Sequence, residues 1–98
     1  MQNRSERLRA VLTEAFRPAA LEVIDDSALH AGHAGAAAGG ETHYSVLVVS
    51  ESFASLKRVE RSRAVHAVLA GEFAAGLHAL ALTLRTVGEH ADAPTLKN

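Results

Sequence analysis

His43-Tyr44-Ser45-Val46-Leu47-Val48-Val49-Ser50 is the stretch that decides the fold. Tyr44, Val46 and Val48 share one side of a period-two pattern, with Leu47 and Val49 on the other, so the run reads as a strand with apolar residues on both faces. Downstream, residues 51–57 form a polar connection in which Phe53 is expected to anchor a short turn on the core. Helix formers then dominate from Lys57 to Ala75. Val65, Val68, Leu69 and Phe73 predict an inward stripe, and Gly76 stands at the usual C-terminal stop. Leu77 to Arg85 predicts a further strand with His78, Leu80, Leu82 and Leu84 on one face.

Upstream of residue 43 lies a contrasting segment. Residues 28–40 contain four glycines and six alanines, the composition of an open, flexible hairpin loop. Before it, Leu21 to Asp26 reads as a short strand, with turn chemistry at Asp26-Ser27. Leu8, Val11, Leu12, Ala15 and Phe16 give the i, i+3, i+4, i+7, i+8 stripe of a helix over Arg4–Phe16. Asn3 with Glu6 forms a capping-box pattern at its start, and Pro18 ends it. Past the last strand, Gly88 and Pro94 predict a short turn or helix and a tail that frays from 91 to 98. The order helix, strand, strand, helix, strand predicts an α/β (α+β) sandwich. A three-stranded mixed sheet carries its helices on one face, in a single domain over 1–98 with an ordered core over about 4–90.

Composition narrows the chemistry. The net charge is −1, so the chain as a whole has no pull toward nucleic acid or anionic membrane, and any such contact must come from a local patch. The absence of cysteine excludes disulfides, thiolate catalysis and an iron–sulfur cluster held by this chain alone. The charged, periodic N-terminus has no signal-like apolar region, and no apolar run approaches ~18 residues. The expectation is a soluble, cytoplasmic domain. No nucleophile elbow, His-Glu-x-x-His pattern or phosphate-binding loop is present, so hydrolytic catalysis has little support. Asp25-Asp26 is more simply a strand end and turn than an acid–base pair.

Two constellations could carry function. The first is histidine-rich: His30 and His33 in the loop, with His78 opening the last apolar run. Imidazole is the commonest metal ligand, but a complete site needs three or four convergent donors, so these residues half-supply one. The second is Lys57-Arg58-Val59-Glu60-Arg61-Ser62-Arg63, where Lys57, Arg58, Arg61 and Arg63 near a helix start could contact phosphates. A solvated helix face is the plainer account of that run, and Glu60 weakens the nucleic-acid reading. His43 is expected to bond locally at the strand entrance, His66 on the basic helix reads equally as surface or as site, and His90 is given no role.

Taken in order, Leu21-Glu22-Val23 with Asp25-Asp26-Ser27, the histidine loop, Glu41-Thr42-His43-Tyr44 and Val46-Leu47-Val48-Val49-Ser50 resemble the BolA family. Phe53, Arg61, Arg63, Leu69 and Gly76-Leu77-His78-Ala79-Leu80-Ala81-Leu82 continue the resemblance, which covers about two-thirds of the chain before the first helix is counted. The resemblance implies a KH-like fold and a non-enzymatic role. It further implies a monothiol glutaredoxin partner and a [2Fe–2S] cluster shared with that partner and glutathione. By position His78 matches the family's strand histidine ligand, and His30 the loop ligand, with His33 as an alternative. Such a chain is expected to be a monomer alone and a heterodimer with its partner. The family also contains transcriptional regulators, which makes DNA contact through the basic helix the alternative. Here Ser62 stands where a histidine is common.

Overall fold

In the computed structural model the described residues are 3–27 and 42–92. The first helix, α1, spans Arg4–Phe16 and starts as its sequence predicts. The Asn3 side chain accepts from the Glu6 backbone N–H at 2.9 Å, and the Glu6 carboxylate accepts from the Asn3 N–H at 2.9 Å. It ends where Arg17 takes a left-handed conformation (φ 45°) ahead of Pro18 and donates its N–H to Thr13 O. Leu8, Leu12 and Phe16 lie buried along its inner stripe. Burying side chains of this size contributes about 1.5–3 kcal/mol each.

Among the described residues three strands form one sheet in the order β1-β2-β3: β1 is Ala20–Asp25, β2 is His43–Val49 and β3 is Ala79–Arg85. β1 pairs antiparallel with β2, from Ala20↔Val49 to Asp25↔Tyr44. β3 pairs parallel with β2, from His43↔Ala79 to Val49↔Arg85. This register stacks Val23, Val46 and Leu82 in one row, and Leu21, Val48 and Leu84 in another, all facing the helices. Glu22, Ile24, Ala81 and Thr83 point to the other, exposed face. The mixed sheet with helices on one face is therefore the one the strand patterns predicted.

A 3₁₀ turn at Glu51–Phe53 drops the Phe53 ring fully into the core, 5.1 Å from that of Phe16. Ser50 caps this turn: its hydroxyl accepts from the Ser52 N–H and donates to Phe16 O. The single helix expected over Lys57–Ala75 is in fact two, α2 at Arg58–Val68 and α3 at Ala70–Ala74, parted at Leu69. The break keeps Leu69 wholly buried, leaves Val68 38% exposed instead of inward, and turns Glu72 toward α1. There Glu72 accepts from Nε of both Arg4 and Arg7 at 2.8 Å, an ion-pair triad spanning more than sixty residues of sequence that no local pattern announces.

The last strand also begins later than its apolar run. Leu77 is a buried anchor, and His78 stands just before β3, not on its inner face. The segment expected to form a short turn or helix holds a helix, α4, at Val87–Asp92. Its start is a capping box: Glu89 N–H donates to Thr86 Oγ1 and Thr86 N–H to the Glu89 carboxylate. No helix among the described residues is long and apolar enough to cross a membrane.

Candidate functional site

At one end of the sheet, β1 runs out, β2 begins and β3 begins, because β2 is antiparallel to the first and parallel to the second. At this end lie Ser27 and Thr42, the residues that flank the segment 28–41. Its roots are tied by one hydroxyl: Ser27 Oγ accepts from the Thr42 N–H at 2.9 Å and from the His43 N–H at 3.2 Å. Asp25 in turn accepts the Ser27 N–H at 2.8 Å, and Asp26 N–H donates to His43 O at 2.7 Å. The Asp25-Asp26 pair thus closes a turn, and the Ser45 hydroxyl donates to the Asp26 carboxylate.

His78 joins the same knot. Its backbone N–H donates to Thr42 O at 2.8 Å, and the Ala79 N–H donates to the same oxygen at 3.0 Å. The imidazole is exposed, as are its neighbours Ala75, Gly76 and Ala79. On the other side, Arg4 Nη2 donates to Ala75 O at 3.0 Å, so the Glu72 triad also holds the turn that leads into His78. Gly76 in that turn has φ 123°, a conformation that disfavours any side chain. Beneath His78 lies His43, only 8% exposed, with ring centroids 5.1 Å apart and planes tilted by 46°. His43 Nδ1 and Thr42 Oγ1 are hydrogen-bonded at 2.9 Å. The local role expected of His43 is therefore observed, and its contact with His78 is one the sequence did not disclose.

His30 and His33 lie outside the described residues. Among the described residues, no group of three or more histidine or acidic side chains is arranged to hold a metal ion. What the described part offers is one exposed histidine, tied through its backbone to Thr42, beside the residues that flank the segment carrying two more.

The basic segment divides. Lys57, Arg58 and Arg63 are exposed, whereas Arg61 is buried. The Arg61 guanidinium donates to Leu56 O and Leu84 O, grips both oxygens of Glu89 at 2.6 and 3.1 Å, and lies 5.8 Å from the Phe53 ring centre. It is a structural clamp between α2, β3 and α4. The Thr86-x-x-Glu89 pattern was the available signal for its partner helix. Beside it runs a groove of about 680 Å³ lined by Arg58, Arg61, Arg85, Glu89 and Asp92, among others. Its two carboxylates oppose a phosphate backbone. His66 is exposed and stacks on Phe73 at 5.4 Å, and His90 is exposed beside Arg85.

The two buttressing carboxylates imply an acid response. Hydrogen bonds from Arg7 and then Arg4 hold Glu72 below its ordinary value of 4.5, and Arg61, then the Thr86 N–H, bring Glu89 down to about 2. A depressed carboxylate contributes stability that is complete above the unfolded value and drains as pH falls through the folded one. Melting temperature is therefore expected to fall as pH drops from 4.5 toward 2. In the double variant Glu72→Gln/Glu89→Gln it should start lower and fall less steeply. A double variant with the wild-type slope would contradict these assignments.

Comparison with known proteins gives a consistent result. The model of the BolA-like protein family matches residues 12–89. The chain is 45% identical over 86 residues to an uncharacterized Sinorhizobium protein from the cobS 5′ region, covering 87% of this chain and 92% of that one. It is 38% identical over 84 residues to the DNA-binding transcriptional regulator BolA of Escherichia coli, covering 86% and 76% respectively. Its fold is similar to the BolA domain of SufE1 from Arabidopsis thaliana, with TM-score 0.81, 37% identity, and 91% and 98% of the two chains covered.

Proposed function

The chain belongs to the BolA-like family, and from that premise we propose that it is a non-enzymatic adaptor that binds a monothiol glutaredoxin and co-ligates a bridging [2Fe–2S] cluster. His78 is the fixed ligand in this reading, and His30, or His33 in its place, is the ligand from the loop. The partner and its glutathione supply the thiolates that a chain without cysteine lacks. The observation that supports it most is the exposed His78 ring, mounted through Thr42 O on the roots of the histidine-bearing segment. The small, exposed residues Ala75, Gly76 and Ala79 leave room for an incoming protein surface. Imidazole ligation raises the potential of such a cluster and supplies a protonatable ligand, which suits sensing or transfer.

Mixing the purified chain with cluster-loaded monothiol glutaredoxin is expected to give a heterodimer with altered visible absorption and circular dichroism. An unchanged spectrum at saturating chain would overturn the reading.

A DNA-binding role is the second reading. It is favoured by the likeness to the Escherichia coli regulator and by the exposed Lys57, Arg58 and Arg63. Three phosphate contacts would make log affinity fall with log salt at a slope of about −2.7. Charge reversal at Arg58 and Arg63 should flatten it. Undetectable or salt-insensitive binding dismisses this role.

A further inference from the structure

Three observations concern the residues packed around His78 at this end of the sheet. His43 is buried, yet its ring packs against the exposed ring of His78, at a separation and tilt ordinary for interacting aromatic rings. Thr42, also buried, bonds His43 Nδ1 with its hydroxyl and takes the N–H groups of His78 and Ala79 with its carbonyl. Ser27 holds both residues by their backbone N–H groups. A single dipeptide therefore touches His78 twice, once at the backbone and once at the ring.

We propose that Thr42 and His43 are positioning residues for His78. Thr42 orients the His43 ring, and that ring limits the orientations open to the His78 imidazole. A solvent-facing histidine otherwise turns freely about two side-chain bonds, and ordering it on binding costs free energy. A buried ring clamped beneath it removes part of that freedom beforehand. Outer residues that hydrogen-bond a ligand change metal affinity by about 10–100-fold when lost, and a packed ring that fixes a ligand's orientation acts in the same sense. The consequence for a cluster rests on the adaptor reading; the orientation of His78 does not.

His43→Phe keeps an aromatic ring under His78 but removes the bond to Thr42. Thr42→Val removes the same bond at nearly constant volume, and Thr42→Ser restores a hydroxyl. Long-range ¹H–¹⁵N spectra of the isolated chain should show the His78 ring resonances displaced in His43→Phe and Thr42→Val. In Thr42→Ser they should return toward wild type. In the cluster-bearing mixture with glutaredoxin, a chelator should strip iron about 10-fold faster from the first two variants than from wild type. The visible circular dichroism should shift with it, and Thr42→Ser should be near wild type in both. Unmoved His78 resonances in both His43→Phe and Thr42→Val would overturn the proposal. So would resonances that move while chelation rates stay at the wild-type value. Should His43→Phe fail to fold, the Thr42→Val and Thr42→Ser pair decides. If wild type takes on no cluster spectrum, the adaptor reading falls, and the ring resonances alone decide whether His78 is held.

Discussion

His78→Ala is expected to abolish the change in visible absorption and circular dichroism that wild type produces with cluster-loaded monothiol glutaredoxin. The fold should scarcely notice the substitution. The residue is exposed, and although its ring packs on His43, alanine keeps the backbone N–H to Thr42 O that ties it into the sheet. Exposed substitutions of this kind usually change stability by no more than about 0.5 kcal/mol. Functional loss and unfolding are thus separable, with a thermal melt as the control. His30→Ala and His33→Ala should divide unequally, the ligand variant losing the signature and the other retaining it. A His78→Ala chain with the wild-type spectrum would remove this residue from the site, and survival of the signature in all three variants would mean that none of the three imidazoles is by itself an essential ligand.

Phe53→Ala is expected to have the largest effect on stability. Phe53 is fully buried, packs on Phe16 at 5.1 Å between ring centres, and underlies the Arg61 guanidinium. Truncating a buried phenylalanine costs about 3–5 kcal/mol, from lost transfer energy and the cavity left behind. A domain of this size holds roughly 5–15 kcal/mol in total. At about 4–8 °C per kcal/mol, the melting temperature should fall by roughly 12–40 °C, read by far-ultraviolet circular dichroism. Phe53→Leu should lose much less. A melt of Phe53→Ala within a few degrees of wild type would mean that the turn at Glu51–Phe53 does not seat this ring as described.

Elements whose burial is one-sided were legible from local pattern. The helix over Arg4–Phe16, with its cap at Asn3 and Glu6, has the range the stripe predicts. The alternation of Tyr44, Val46 and Val48 gave the inner face of β2 correctly. Phe53 was recognised as an anchor because it stands alone in a polar connection. Legibility failed where long-range partners outweigh local preference. The stripe Val65-Val68-Leu69-Phe73 reads as one helix, yet burying Leu69 while bringing Glu72 to Arg4 and Arg7 requires a break between them. Arg61 reads as one cation among four, and its bonds to Leu56 O, Leu84 O and Glu89, the last twenty-eight residues away, turn it inward.

The candidate site divides along the same line. Residue types, the absence of cysteine and the resemblance carried by ordered motifs were in the sequence, and with them the BolA-like family and His78 as the residue to examine. Which imidazole faces solvent was not, because His43 and His78 are thirty-five positions apart and both stand where an apolar run begins. Parallel pairing of β3 with β2 sets them side by side, and packing then buries one ring and exposes the other. Side-chain chemistry is written residue by residue. The direction in which a side chain points is fixed only when distant strands come into register.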